Sequence, residues 1–182
     1  MNVQILQQTA ERAAIYGLLS AMWLEPPSAD DLEEFGRVPD ESPAWAALRE
    51  ASLGANTDDL AVQFTQLFVG PKNHLPPFQS VWLEQQLEGE SAASTRRYGD
   101  VLGIEKASDH LGSQLEMMAI ILSAETDDPA TQSELAICFF RDHLSWPEIL
   151  LDAVAQRGDA FYQSVSRLTG DFLESESVIL TP

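Results

Sequence analysis

The sequence predicts an all-α fold, a single-domain bundle of about nine or ten helices. Apolar residues recur three and four positions apart in one segment after another, which is the spacing of a buried helix face. Ser, Thr or Asp precedes most of these segments, and Gly or Pro follows them. The chain shows no convincing alternation of apolar and polar residues, and the final VILTP is too short to indicate a strand. With 182 residues, 45% of them hydrophobic, the chain is large enough for one core.

Two helices are predicted at the N-terminal end. Residues 3–24 carry an apolar stripe at helical spacing, which Pro26 and Pro27 end. Ser28 and Asp31, three positions apart, form the pattern that caps a short second helix.

Two more helices lead into a loop. Ser42 precedes Pro43, which is the N-cap and first-turn pattern of a third helix, and Gly54 closes it. A fourth helix opens at Thr57 and runs to Gly70, where we expect a left-handed C-terminal residue.

The stretch FTQLFVGPKNHLPPFQSVW, residues 64–82, is where the helical pattern gives way to an aromatic, proline-bearing loop. A surface linker has little reason to carry so many large apolar side chains. Two interpretations remain open: a loop pinned to the core by its aromatic residues, or one wall of a binding groove.

After this loop we predict a polar helix over residues 83–90 and a further segment that ends at Gly103. The second segment contains Arg96 and Arg97. In so acidic a chain, we expect both arginines to pair with nearby carboxylates.

The most apolar predicted helix starts at Asp109, and we expect it to be central. Asp128, followed by proline, caps the next helix. Another helix starts at Ser145 and ends at Gly158.

Asp159 caps the last predicted helix, and residues 175–182 are expected to form a frayed or partner-docked tail. The single domain, residues 1–182, would thus contain a helical part over about 1–69, a loop and linker over about 70–107, and a C-terminal bundle over about 108–174.

The charge of the chain restricts its partners. Ten Lys and Arg oppose 29 Asp and Glu, which gives a net charge of −19 and a pI near 4.2. Such a surface repels polyanions, so we expect no nucleic-acid partner, and it favours basic partners such as a Lys/Arg-bearing peptide.

Cysteine content and hydropathy indicate a cytoplasmic location. Cys138 is the only cysteine, so it forms no internal disulfide, and its apolar neighbours predict a buried thiol. The N-terminus lacks a secretory signal pattern, and no apolar run reaches the ~20 residues that a membrane span needs.

No catalytic motif is evident. The chain contains no GxxxxGK[ST], GxGxxG, GxSxG, CxxC or HExxH. The pairs Asp109-His110 and Asp142-His143 are chain neighbours that point in different directions on a helix, so neither can chelate one ion alone. The residues thus offer no evidence for an enzyme, and we predict no metal site and no cofactor.

Asp109 and His110 allow two interpretations. In one, Asp109 interacts with the free N–H groups of a helix start and His110 lies on the surface. In the other, carboxylate and imidazole stand at the mouth of a groove and hold a cationic peptide.

Five segments, in order, resemble the TorD/DmsD/NarJ family of redox-enzyme maturation chaperones, also called the nitrate reductase delta-subunit family. They are FTQLFVGP (64–71), PPFQSVWLE (76–84), SDHLGSQLEMM (108–118), FFRDHLSWP (139–147) and FYQSVSRLTGDFL (161–173). Two departures concern the subfamily: the proline often found before Asp109-His110 is missing, and Gln114 stands where the family often has glutamate.

The resemblance implies a TorD-like, cytoplasmic, all-helical chaperone without catalytic turnover. It would bind the twin-arginine signal peptide, the apo catalytic subunit of a molybdopterin-dependent oxidoreductase, or both, until the cofactor is inserted. The implied peptide contacts are Phe68, Pro77, Phe78, Ser80, Trp82, Asp109, His110 and Glu116. Aromatic side chains would supply apolar contact, the carboxylates would face the arginines, and the imidazole would donate a hydrogen bond.

Two other functions fit a helical protein of this kind: a cofactor- or nucleotide-handling accessory protein, or a structural assembly adaptor. The absence of a phosphate-binding loop and the negative charge disfavour the first. We expect a monomer without a stable membrane anchor, with a helix-swapped dimer as the alternative.

Overall fold

The computed structural model describes residues 3–38, 42–125 and 128–180, with side chains from residue 8 onward. These residues form ten α-helices and one π-helical turn, and no strand occurs among them. The prediction of an all-α fold is confirmed. The helices are α1 Val3–Leu24, α2 Ala29–Phe35, α3 Pro43–Leu53, α4 Thr57–Phe64, α5 Gln79–Glu84, α6 Glu90–Leu102, α7 Leu111–Ser123, α8 Pro129–His143, α9 Glu148–Arg157 and α10 Ala160–Leu180. None of these helices combines the length and hydropathy needed to cross a membrane.

The chain groups into two compact units, and each unit is assembled from separate parts of the sequence. The first unit comprises Met1–Leu24, Phe78–Pro147 and Glu176–Pro182, and the second comprises Glu25–Pro77 and Glu148–Ser175. Residues 70–107, expected as loop and linker, contain α5 and α6, which both belong to the first unit. A single domain over residues 1–182 stays a prediction.

Helix α7 is the centre of the first unit. It packs against α1, α6 and α8, and most of its apolar side chains are buried, with Ile120 as an exposed exception. Gly112 allows α1 to approach closely, because a Cβ there would lie 2.7 Å from Cγ of Leu24. The most apolar helix is therefore central within the first unit, as predicted.

Aromatic rings fill the core of the second unit. Phe68 contacts Phe64 and Tyr162, with ring centroids 5.1 and 5.9 Å apart. The hydroxyl of Tyr162 donates to the carbonyl of Leu60 at 3.1 Å, so this buried polar group has a partner.

The end of the fourth helix differs from the prediction. Residues Thr65–Val69 form a π-helical turn, which Gly70 closes by donating its N–H to the carbonyl of Thr65 at 2.6 Å. Gly70 has φ −55° and ψ 160°, so it is not the left-handed residue we expected. The wider turn thus gives the carbonyl of Thr65 a partner without a left-handed cap.

The polar helix predicted over residues 83–90 is wrong. Helix α5 ends at Glu84, and Gln85 leaves it with φ 58°. The carboxylate of Glu84 accepts hydrogen bonds from the N–H groups of Glu90 and Ser91 at 2.6 and 2.8 Å, and thereby caps α6. A Cβ at Gly89 would lie 1.9 Å from this carboxylate, so glycine permits the contact.

Two predictions near the C-terminus are also wrong. Helix α9 begins at Glu148 and not at Ser145, whose hydroxyl donates instead to the carbonyl of Arg141. Helix α10 continues to Leu180 through most of the expected tail, and Thr181 and Pro182 lie outside the described residues.

Two predictions about single side chains have different outcomes. Arg96 and Arg97 pair with Glu88 and Glu90 at 2.6 and 3.5 Å, as expected. Cys138 is half-buried, where we expected a buried thiol.

An ion pair within the first unit accounts for the extension of α10. Glu176 is 1% exposed, and both its oxygens accept from the guanidinium of Arg12 at 2.7 Å. Two parallel hydrogen bonds make this the strong form of a carboxylate–arginine contact.

We predict that Arg12→Ala lowers the free energy of unfolding by about 3 kcal/mol, because it leaves the buried carboxylate of Glu176 without a cation. Urea unfolding followed by circular dichroism measures this change. Arg96→Ala is the control, since its pair with Glu88 is exposed and contributes less than about 1 kcal/mol. Equal losses of stability in both variants would contradict the inference that the Arg12–Glu176 pair stabilises the end of α10.

Candidate functional site

Two of the sequence motifs meet in the first unit. Phe78 and His110 form an isolated antiparallel bridge, and the N–H of Gln79 donates to the carbonyl of Asp109 at 2.9 Å. The rings of Phe78 and His110 lie edge to face, with centroids 5.1 Å apart. The aromatic loop and the start of α7 are therefore in direct contact.

Asp109 is inside this contact and not at its surface. Asp109 is only 4% exposed, and its Oδ2 accepts a hydrogen bond from the N–H of Ser80 at 2.8 Å. A carboxylate at the first N–H groups of a helix satisfies donors that have no partner within the helix. Asp109 thus serves a helix start, as one interpretation predicted, but the helix is α5 and not α7.

His110 caps α7. Its Nδ1 accepts from the N–H of Gly112 at 3.0 Å, so the neutral ring carries its proton on Nε2. Burial lowers the pKa of His110 to about 4, although the negative charge of Asp109 acts in the opposite direction. The neutral imidazole retains one N–H that can donate a hydrogen bond.

A buried chain of amides anchors the first residue of α5. The indole N–H of Trp146 donates to Oε1 of Gln114 at 2.9 Å, which leaves the Gln114 amide nitrogen to donate to Oε1 of Gln79 at 2.7 Å. The Gln79 amide nitrogen then donates to the carbonyl of Asp142 at 2.9 Å. Because an indole N–H only donates, Trp146 sets the direction of the whole chain.

His143 completes this network. Its Nδ1 lies 3.0 Å from Oε1 of Gln79, an oxygen that accepts, so Nδ1 carries the proton. Its Nε2 then accepts from the hydroxyl of Ser94 at 3.1 Å. Burial lowers the pKa of His143 to about 4, because the charged ring would lose its hydration.

The eight residues predicted as peptide contacts fall into four groups. Phe78, Trp82 and His110 are half-buried, and Glu116 is exposed. Ser80, in the first turn of α5, and Asp109, which binds it, are buried. The remaining two, Phe68 and Pro77, are buried in the second unit.

Gln79, Gln114 and His143 were not selected as site residues from the sequence. Gln114 carried one signal, its departure from the family pattern, but nothing in the spacing of the chain indicated that it binds Gln79 and Trp146. Gln79 lies on α5, Gln114 lies on α7, and Trp146 lies in the turn between α8 and α9. Only the folded chain brings these residues together.

Two cavities lie away from these residues. One, of about 890 Å³ in the first unit, is bounded by α1, the end of α7 and the start of α8. The other, of about 290 Å³, lies in the second unit beside Trp45 and Phe172. None of the eight predicted residues lines either cavity. Among the described residues, no group of three or more His, Cys, Asp and Glu side chains is placed to hold a metal ion.

The segments that meet at Phe78 and His110 fall within a stretch that matches a known family. The model of the family described as "Nitrate reductase delta subunit" matches residues 38–148, more than half of the chain. The chain belongs to this family. It is also 26% identical over 152 residues to Chaperone protein YcdY of Escherichia coli (strain K12), an alignment that covers 73% of this chain and 80% of that protein.

These comparisons confirm the family predicted from the ordered motifs. They support the predicted function of a chaperone in molybdoenzyme maturation, and membership of the family implies a non-catalytic protein. The buried polar side chains around Gln79 bind one another and the backbone within the first unit. Their hydrogen bonds therefore explain why they are buried, without a catalytic role.

We predict that the buried, neutral His143 makes the first unit less stable as the pH falls from about 6.5 to about 4. In this range the unfolded chain protonates the imidazole, whose ordinary pKa is about 6.5, while the folded chain keeps it neutral. The unfolded state therefore binds more protons, and the free energy of unfolding falls. His143→Gln removes this titration and should reduce the slope by up to about 1.4 kcal/mol per pH unit.

Urea unfolding of both proteins across this pH range measures the two slopes. The variant is expected to be less stable than the parent at neutral pH, and the difference should shrink on acidification. Parallel curves would show that His143 titrates alike in the folded and unfolded chains.

Proposed function

We propose that this chain binds the twin-arginine signal peptide, the apo catalytic subunit of a molybdoenzyme, or both, and releases its client after cofactor insertion. The observation that carries the proposal is the contact between Phe78 and His110, which joins two family motifs at one partly accessible place. We propose the cytoplasm as its location, because cofactor insertion would precede export of the client.

The proposed contact surface consists of Phe78, Trp82 and His110, which we call the aromatic–imidazole surface. Trp82 follows Phe78 by four residues, about one helical turn, so the spacing favours both rings on the same face of α5. Half-buried aromatic rings are effective anchors for an apolar segment, because they lose little conformational freedom on binding. The Nε2–H of His110 adds a directional donor for a peptide carbonyl.

The charge of the chain complements a cationic peptide. A net charge of −19 raises the association rate of a basic ligand and makes its affinity depend on salt. Glu116 supplies an exposed carboxylate on α7, the helix that His110 caps. Because Glu116 is exposed, its carboxylate can pair with an arginine without breaking a hydrogen bond to any of the described residues.

We predict that Trp82→Ala weakens binding of a twin-arginine signal peptide at least tenfold, because it removes an aromatic anchor. The peptide should come from a molybdoenzyme encoded beside this gene, and calorimetric titration measures the affinity. Val101→Ala is the matched control, since Val101 is an exposed apolar residue of the same unit at 73% exposure. It should leave the affinity unchanged.

The same titration distinguishes the other functions. If the folded protein binds no signal peptide but retains a catalytic subunit that lacks its signal, the chain acts as an assembly adaptor. If it binds neither and instead binds nucleotide or molybdenum cofactor, the accessory function is correct and the proposal is wrong.

A further inference from the structure

We infer that Asp109 is a positioning residue that fixes the aromatic–imidazole surface, and that it does not contact the cation of a client. This inference rests on the proposed function, since it assigns a role within the same surface. It replaces the direct arginine contact that the family resemblance implies for Asp109.

Two acceptors of Asp109, its backbone carbonyl and Oδ2, bind the first turn of α5. The backbone carbonyl accepts from the N–H of Gln79 at 2.9 Å, and the carboxylate accepts from the N–H of Ser80 at 2.8 Å. Asp109 therefore satisfies two consecutive donors that the helix cannot satisfy itself. Only 4% of the residue remains exposed.

Helix α5 needs such support because it contains only six residues. A helix of this length does not persist on its own, since nucleation is unfavourable and few hydrogen bonds follow it. Its N-cap, Phe78, provides no side-chain cap. The direction of α5, and with it the position of Trp82, therefore depends on contacts from outside the helix.

A direct contact with a client arginine would disrupt this arrangement. Unless the carboxylate leaves the buried N–H of Ser80, a guanidinium can reach it only through the 4% of the residue that is exposed. The Ser80 hydroxyl is also buried and has no hydrogen-bond partner among the described residues. Moving Asp109 would thus leave two polar groups of Ser80 unsatisfied, and the incoming guanidinium would lose its hydration as well.

The carboxylate and its amide counterpart distinguish the two roles. In Asp109→Asn, the side-chain oxygen can still accept from the N–H of Ser80, but the negative charge is gone. In Asp109→Ala, both the acceptor and the charge are lost. A positioning residue tolerates the first change, whereas a residue that pairs with an arginine does not.

We expect Asp109→Asn to bind a twin-arginine peptide within threefold of the parent affinity, with the same dependence on salt, and Asp109→Ala to bind at least tenfold more weakly. Asp100→Asn is the matched control, because it removes one exposed carboxylate of the same unit and should give the parent affinity. If folded Asp109→Asn loses tenfold or more and its salt dependence flattens, Asp109 contacts the cation and the inference is wrong.

Amide hydrogen exchange tests the same inference without a ligand. The Ser80 amide should remain protected in Asp109→Asn and become unprotected in Asp109→Ala. If parent and variants bind no peptide but the exchange follows this pattern, the positioning of α5 is correct and the proposed function fails. Equal protection of Ser80 in all three proteins would overturn the positioning role.

Discussion

The hydrogen bond from the Ser80 N–H to the carboxylate of Asp109 is the interaction on which the candidate site depends. It joins residues 29 positions apart and sets the start of α5 against the start of α7. Phe78 and His110 pair beside it through backbone and rings. A helix as short as α5 has a defined direction here because a neighbouring segment satisfies its first donors.

The same use of carboxylates recurs along the chain. Glu84 caps α6 across Gly89, Asp128 caps α8, and Asp159 accepts from the N–H of Tyr162 at the start of α10. Hydrogen bonds from Ser91 lower the pKa of Glu84, as expected for an anion at a helix start. Part of the acidic excess thus stabilises helix ends, and the remaining carboxylates give the surface its attraction for basic partners.

Local features of the fold could be predicted from the sequence because their causes are local. The capping box of Ser28 and Asp31, the cap at Ser42 and the helix end at Gly103 all lie within a few residues of the helices they bound. The extension of the last helix could not be predicted, because a distant residue decides it. Helix α10 extends because Glu176 meets Arg12, 164 positions away.

The same distinction between local and distant causes applies to the candidate site. The motifs identified Phe78, Trp82 and His110 because aromatic, proline and Asp-His patterns are visible in the chain. Burial of Asp109 could not be predicted, since a carboxylate beside a helix start is normally solvated and its partner belongs to another segment. The amide chain through Gln79 and Gln114 was invisible for the same reason, because interchangeable polar side chains carry no periodic signal.

We propose that the start of α5 and the start of α7 form one surface for the client peptide. Chemical-shift mapping of the labelled protein during titration with a twin-arginine peptide tests this proposal. We expect the amides of residues 78–82 and 110–116 to shift together and to saturate at one peptide per chain. Shifts confined to the cavity between α1 and α8, or to the second unit, would contradict it.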